Sequence, residues 1–321
     1  MSIKTCGRGI WLGNSCSVRR IPALALAATF GFAPAPIDLS RVFVKGEHDA
    51  YLVHADLHVE TWTPASPLWL PDELEFRYRF GSVVSSVSAA GIASIRYTRP
   101  EMQELFGERF DAPPRTEDIQ QGLDFDLQIS PANEMIDAKP HGAAGQTSDE
   151  DDWHGPPSVA TRQASAEDYR AEFIRLAMFV GDVQSSLDFA PRLPFDPVNP
   201  GDTWKRTVSY VPGASPSISN QQTHRVDYTY TFSGVVKTPH GLVDRVHAAL
   251  HLSEDLAGAR EGRTAMTLDT QIDFDLDPKT RKTLYADAKS TGEIKSFSDT
   301  DEQNLGQIDK IKAETTLSVA K

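Results

Sequence analysis

The sequence predicts a mainly β protein, built as two related antiparallel meanders with one amphipathic helix between them, in the form of a curved half-barrel. Two observations carry this expectation. The phrase Phe76-Arg77-Tyr78-Arg79-Phe80-Gly81-Ser82-Val83-Val84 returns as Tyr228-Thr229-Tyr230-Thr231-Phe232-Ser233-Gly234-Val235-Val236. Leu123-Asp124-Phe125-Asp126-Leu127 is answered by Ile272-Asp273-Phe274-Asp275-Leu276, and Ile136-Asp137-Ala138-Lys139 by Ala286-Asp287-Ala288-Lys289. Offsets of 152, 149 and 150 residues, in unchanged order, read as an internal duplication. Each phrase also alternates apolar with polar residues, the period of a half-buried strand.

Residues 1–35 read as a signal peptide. Lys4, Arg8, Arg19 and Arg20 precede the run IPALALAATFGFAPA, which is too short to span a bilayer. Ala33-Pro34-Ala35 has the small-x-small form of a cleavage site. Both cysteines, Cys6 and Cys16, would leave with this leader, so the mature chain is expected to hold no disulfide and no thiol nucleophile. Loss of the four leader cations takes the net charge from −13 to −17. Such a surface repels phosphate backbones, which argues against nucleic-acid binding. The expected location is periplasmic or extracellular, with no transmembrane segment after signal removal.

The first repeat is expected over residues 42–137. Asp49–Thr63 places Tyr51, Val53, Ala55, Leu57 and Val59 on one face, with His54, Asp56, His58 and Glu60 on the other. Glu73–Phe80 alternates Leu74, Phe76, Tyr78 and Phe80 with Glu73, Glu75, Arg77 and Arg79. Ala89-Ala90-Gly91 predicts a hairpin turn into Ile92–Tyr97, and Pro100 a strand end. Leu123–Ile129 turns Asp124, Asp126 and Gln128 to water. One buried and one wet face is the pattern of an antiparallel sheet.

Residues 138–164 change character: rich in Gly, Pro, Ser and acid, they read as a loop with little to bury. Residues 165–187 read as the amphipathic helix. Ser165 can cap it, and Tyr169, Phe173, Leu176, Ala177 and Val180 follow helical spacing, with Ile174 and Val183 widening the stripe. The second repeat, 188–321, predicts strands at Lys205–Val211, Thr223–Val236, Leu242–Leu252, Thr264–Leu276, Arg281–Ser290 and Lys310–Val319. Thr238-Pro239-His240-Gly241 and Asp277-Pro278-Lys279-Thr280 supply turns. One continuous sheet and two packed halves satisfy this pattern equally.

The Pro-rich approach to Gly201-Asp202-Thr203-Trp204, followed by a Tyr-alternating strand and a Gly-containing hairpin, resembles an uncharacterised exported bacterial β-repeat family, a domain of unknown function, over residues 187–290. The resemblance implies an extracytoplasmic β-rich protein and carries over no catalytic residue.

The motifs that suggest chemistry each meet a structural objection. His247 and His251 would share a metal on a helix, with Glu254 as a third ligand. The alternation around them makes a strand instead, which separates them by about 13 Å. His54 and His58 meet the same objection. Asp273-Phe274-Asp275-Leu276-Asp277 imitates a calcium loop, but Pro278 and Leu284 stand where Gly and Glu are required; a solvated strand face is the expectation. No nucleophile elbow and no phosphate loop occur. The reading is therefore not an enzyme, with no catalytic, cofactor or metal residues.

What remains is binding. Small inward residues, Ala55, Thr270, Ala286, Ala288, Ala313 and Thr315, could line a cavity for an apolar ligand, unless the helix and the aromatic residues fill it. The leading expectation is an exported envelope protein that binds or scaffolds, its partner an apolar small molecule or another envelope protein. The alternatives are a periplasmic carrier of an apolar ligand or lipid, and a hydrolase with a carboxylate pair.

Overall fold

The computed structural model describes residues 35–100, 102–107, 115–120, 122–141, 162–163, 166–180, 183–210, 218–219, 224–239, 241–257, 262–298 and 304–320. The expected leader up to residue 34, both cysteines, the Ser165 cap and most of the acidic loop lie outside these residues.

The first half supplies β1 (His48–Thr63), β2 (Ser66–Val87), β3 (Ala93–Arg99), β4 (Met102–Gly107), β5 (Arg115–Gln120), β6 (Leu123–Ile129) and β7 (Met135–Pro140). Then come β8 (Arg162–Gln163), α1 (Ala166–Met178) and α2 (Val183–Leu187). The second half supplies β9 (Thr203–Tyr210), β10 (Ile218–Ser219), β11 (His224–Thr238), β12 (Gly241–Ala257), β13 (Arg263–Leu276), β14 (Thr283–Phe297) and β15 (Leu305–Val319). The large strands join one antiparallel sheet in the order β7-β6-β3-β2-β1-β15-β14-β13-β12-β11-β9, with β4 and β5 attached beside β2. The two-residue strands β8 and β10 form a separate parallel pair.

The sheet is thus continuous, and its join is β1 against β15, in register from Tyr51 opposite Val319 to Trp62 opposite Ile308. The echoing phrases fall on matching places: β2-β3-β6-β7 in one half, β11-β12-β13-β14 in the other. Phe76, Tyr78 and Phe80 are buried, as are Tyr228, Tyr230 and Phe232. The third pair of phrases differs. Ala286 and Ala288 are buried, whereas Ile136 is 52% exposed. The reason is position, since β14 lies between two strands and β7 ends the sheet.

Curvature brings the ends of this sheet together without closing it. Arg206 on β9 lies 3.6 Å from Glu134, just before β7. Leu193 donates its N–H to the carbonyl of Ala132, and Ile37 and Val198 form an isolated bridge. One end of the half-barrel is therefore crossed by the segments around 37–43 and 189–198. The β1–β2 hairpin instead projects beyond the core, with Leu68 68% exposed and Trp69 covered on one side by the Lys310 ammonium, 4.1 Å from its ring centre.

The helix expected over 165–187 is two helices. Val180 donates to the carbonyl of Arg175 and Phe179 to that of Leu176, the paired bonds of a Schellman ending. Phe179 takes the left-handed position that glycine usually fills, at φ 55°. It is held there by burial, by packing on Phe189 at 5.3 Å, and by the Tyr78 hydroxyl, which donates to its carbonyl at 3.0 Å. Periodicity alone cannot report this break, because Val180 and Val183 remain buried on either side of it.

Candidate functional site

Six buried inward positions on β1 and β15 are small or β-branched (Val53, Ala55, Val59, Ile311, Ala313 and Thr315), and α1 packs on this part of the sheet. It touches β1, β12, β13, β14 and β15. Thr315 donates its hydroxyl to the carbonyl of Met178 at 3.1 Å, and Thr270 exchanges a hydrogen bond with Ser290 at 2.8 Å. Ala55, Thr270, Ala286, Ala288, Ala313 and Thr315 are all buried. They belong to the face that α1 covers, and none of them lines the cavity beside the Tyr51–Phe80–Tyr97 cluster.

That cavity, about 90 Å³, lies where the crossing segments meet the inner face of the first half. Tyr51, Phe80, Ile95 and Tyr97 form its sheet wall, and Ser186, Leu187 and Phe189 its opposite wall. The aromatic wall is continuous: Phe80 stacks on Tyr51 at 5.0 Å and on Tyr97 at 5.6 Å. Tyr97 donates to Ser186 Oγ at 2.8 Å, which ties α2 to β3. Burial, above all, pushes the Tyr51 and Tyr78 phenols well above their ordinary values. Neither will ionise in the physiological range.

Four cations line the same cavity, and each has partners. Lys282 Nζ bonds Asp49 at 2.6 Å, and Arg41 Nη2 bonds Glu47 at 2.9 Å. Arg192 Nη1 donates to the carbonyls of Leu187 and Ala190, and Arg281 Nη1 to Asp244 at 2.5 Å. These residues arrive from loops far apart in sequence, so alternation within strands could not have found them. Arg99, the last residue of β3, is different. It is 3% exposed, and its Nε and Nη1 are buried with no hydrogen-bond partner among the described residues. Its guanidinium lies 5.5 Å from the centre of the Tyr78 ring. The one sequence signal for it is its phase: Ala93, Ile95, Tyr97 and Arg99 share the inward face.

The histidines point the other way. His247 and His251 stand on β12 and face separate acids on β13, Asp273 at 2.9 Å and Asp269 at 2.7 Å. They do not converge. The calcium-like acids are also divided. Asp273 serves His247, and Asp277 accepts from the N–H groups of Lys279 and Thr280 in its turn. Asp275, expected on a solvated face, is instead 4% exposed. The cross-strand Arg245 covers it, with Nε donating to Oδ1 at 2.7 Å. A long arginine beside a carboxylate can remove it from water even on an outward face.

Among the described residues one group could hold a metal ion: His54, Asp56 and Glu75, with ligand atoms within 4.8 Å of one another. The expectation had weighed His54 only with His58; Glu75 enters through the register of β1 with β2. His54 Nε2 lies 2.6 Å from Glu75 Oε1, and the Arg77 Nε donates to that same oxygen at 2.5 Å. Burial raises the Glu75 pKa, but the bonds from His54 and Arg77 outweigh it and hold the carboxyl below its ordinary value. An ion would have to displace the guanidinium first.

No family model matches this chain, and no curated protein matches it. Among solved structures it is similar to lipovitellin, described for its lipid–protein interactions, at 11% identity and a TM-score of 0.40. That match covers 87% of this chain and 25% of lipovitellin, so the chain spans about a quarter of that protein's length. DynF of the dynemicin biosynthesis pathway of Micromonospora chersina matches at 6% identity and a TM-score of 0.23, over 94% of this chain and 92% of its own. Salmonella typhi OmpF, in complex with daunomycin, matches at 7% identity and a TM-score of 0.25, over 85% and 98%. Scores this low carry no argument about function.

Proposed function

We propose that the chain is an exported, non-enzymatic binding protein that holds an apolar small molecule between its curved sheet and the helical segments laid on it. The observation that carries this reading is the cavity between the Tyr51–Phe80–Tyr97 wall and the Ser186–Phe189 segment. At about 90 Å³ it matches the share of roughly three water molecules. Pockets for whole ligands usually start at about 300 Å³. A ligand would therefore enlarge this space by displacing α2 and the segment after it. The seam is suited to such motion, because α1 ends at a strained Phe179 and α2 is only five residues long. Apolar surface uncovered by the displacement, worth about 25 cal/mol per Å², would be covered again by an apolar ligand.

Two further features support the reading. Asp49, the carboxylate that lines the cavity, is bonded to Lys282 and lies 3.7 Å from Arg41, which suits a structural ion pair better than the acid of a hydrolase. Export rests on the cationic start and apolar run of residues 1–35.

Native mass spectrometry of protein purified from its own envelope tests the proposal. The expected result is a co-purifying apolar molecule at one per chain. A ligand-free mass, together with no displacement of a fluorescent acyl probe, would overturn it.

A further inference from the structure

We infer that Arg99 is the headgroup site of this binding protein, receiving the carboxylate or phosphate of an anionic amphiphile whose apolar chain lies along the inner face. The inference rests on the ligand-binding reading above and adds to it the charge and position of the ligand's polar end.

The argument begins with the cost of a buried charge. A guanidinium stays protonated in any protein environment. Removing it from water is strongly unfavourable unless hydrogen bonds and an opposite charge replace the lost hydration. Among the described residues three arginines are buried: Arg41, Arg99 and Arg192. Arg41 has two carbonyls and Glu47; Arg192 has two carbonyls and lies 3.6 Å from Asp188. Arg99 is the most deeply buried of the three, yet its Nε and Nη1 have no hydrogen-bond partner. The face of the Tyr78 ring, 5.5 Å away, is a weak substitute.

Its polar neighbours are already committed. The Tyr78 hydroxyl donates to the Phe179 carbonyl, and the Tyr97 hydroxyl to Ser186. One bond runs from the sheet to the end of α1 and the other to α2. Arg99 does not itself line the cavity, but it stands beside Tyr78, whose bond to Phe179 would be disturbed if the helical segments moved. It also shares the inward face of β3 with Ile95 and Tyr97, both of which line the cavity. A chain placed against that wall would bring an oxyanion within reach of the unpaired donors, where a charge-assisted bond is strongest. A neutral hydroxyl head could accept one hydrogen bond but would leave the positive charge uncompensated.

The test compares binding of oleate, oleyl phosphate and oleyl alcohol to the full mature chain and to Arg99→Met and Arg99→Lys. The wild type is expected to bind at least one of the anions ten-fold or more tighter than the alcohol, and whichever binds tighter identifies the head as carboxylate or phosphate. Arg99→Met should lose that preference, binding the anions no more tightly than the alcohol, and Arg99→Lys should retain part of it. Equal wild-type affinity for all three compounds, or an unchanged preference in Arg99→Met, would overturn the headgroup assignment and leave the binding reading standing. Failure to bind any of the three would overturn both. Equal wild-type affinity for the three compounds refutes the assignment even if neither variant folds.

Discussion

Arg170 on α1 reaches Asp309 on β15, its Nε donating to Oδ2 at 2.5 Å, and the Asp309 side chain is wholly buried. The helix is thus anchored to the sheet by a charge at one end and by the Thr315–Met178 hydrogen bond near the other. Removing the cation would strand a buried carboxylate, which costs about 3–5 kcal/mol when nothing else supports it. Here Thr61 and Gln307 also bond Asp309. Arg170→Met is accordingly expected to lose about 3 kcal/mol in urea denaturation. The double variant Arg170→Met with Asp309→Leu should recover most of that loss; equal stability of wild type and Arg170→Met would contradict the anchoring role.

The small residues under α1 set how closely the helix approaches. Enlarging one should lift it. Ala288→Leu is expected to destabilise the protein by about 1–3 kcal/mol, with faster hydrogen exchange across residues 166–178. Unchanged exchange there would mean that the helix does not depend on this face.

Gly292 allows two strands to lie together. A Cβ at this position would stand 2.5 Å from the backbone carbonyl of Thr267, and backbone cannot swing aside as a side-chain tip can. Gly292→Ala should therefore lower the melting temperature and loosen the β13–β14 pairing, as read by exchange of the amides on either side. Gly46, with nothing near its Cβ position but a φ of 83°, provides a contrasting site where strain alone acts.

Glu75 ties stability to pH. Its folded carboxyl is held below the ordinary value, so the unfolded chain binds the proton more readily. The stabilisation is present above the ordinary carboxylate range and is lost as pH falls through the lowered folded value. Glu75→Gln should lower stability near neutrality, where the ionised carboxylate contributes, change it little at low pH, and so flatten the acid limb of the stability curve. A variant whose acid limb matches the wild type would remove Glu75 from the account.

Most strands were legible because burial phase is a local property. The inward set Tyr51, Val53, Ala55, Leu57 and Val59 is buried, and Ile311, Ala313, Thr315 and Leu317 likewise. At Val319 the phase fails, since the strand is ending and that residue is 37% exposed. The candidate site was much less legible. The small residues were correctly turned inward, but alternation cannot say whether a helix or a ligand meets them. His54 was weighed with its neighbour along the strand, whereas its partner Glu75 lies across the hairpin. Asp275 shows the same limit, because its burial depends on an arginine one strand away.

By itself the sequence determined which face of each strand turns inward, where the meanders turn, and that an amphipathic helix packs on them. Those features follow from spacing within a few residues. Only the tertiary structure decided that β1 and β15 join the halves into one sheet, that the helix breaks at Phe179, and that Arg99 ends β3 with two buried donors that have no hydrogen bond among the described residues. Each depends on which distant segments share a volume, and alternation carries no record of that. Arg99 shows the difference most clearly: its phase points inward as a hydrophobic residue's would, and only the surrounding packing shows which of its donors are buried without a hydrogen bond.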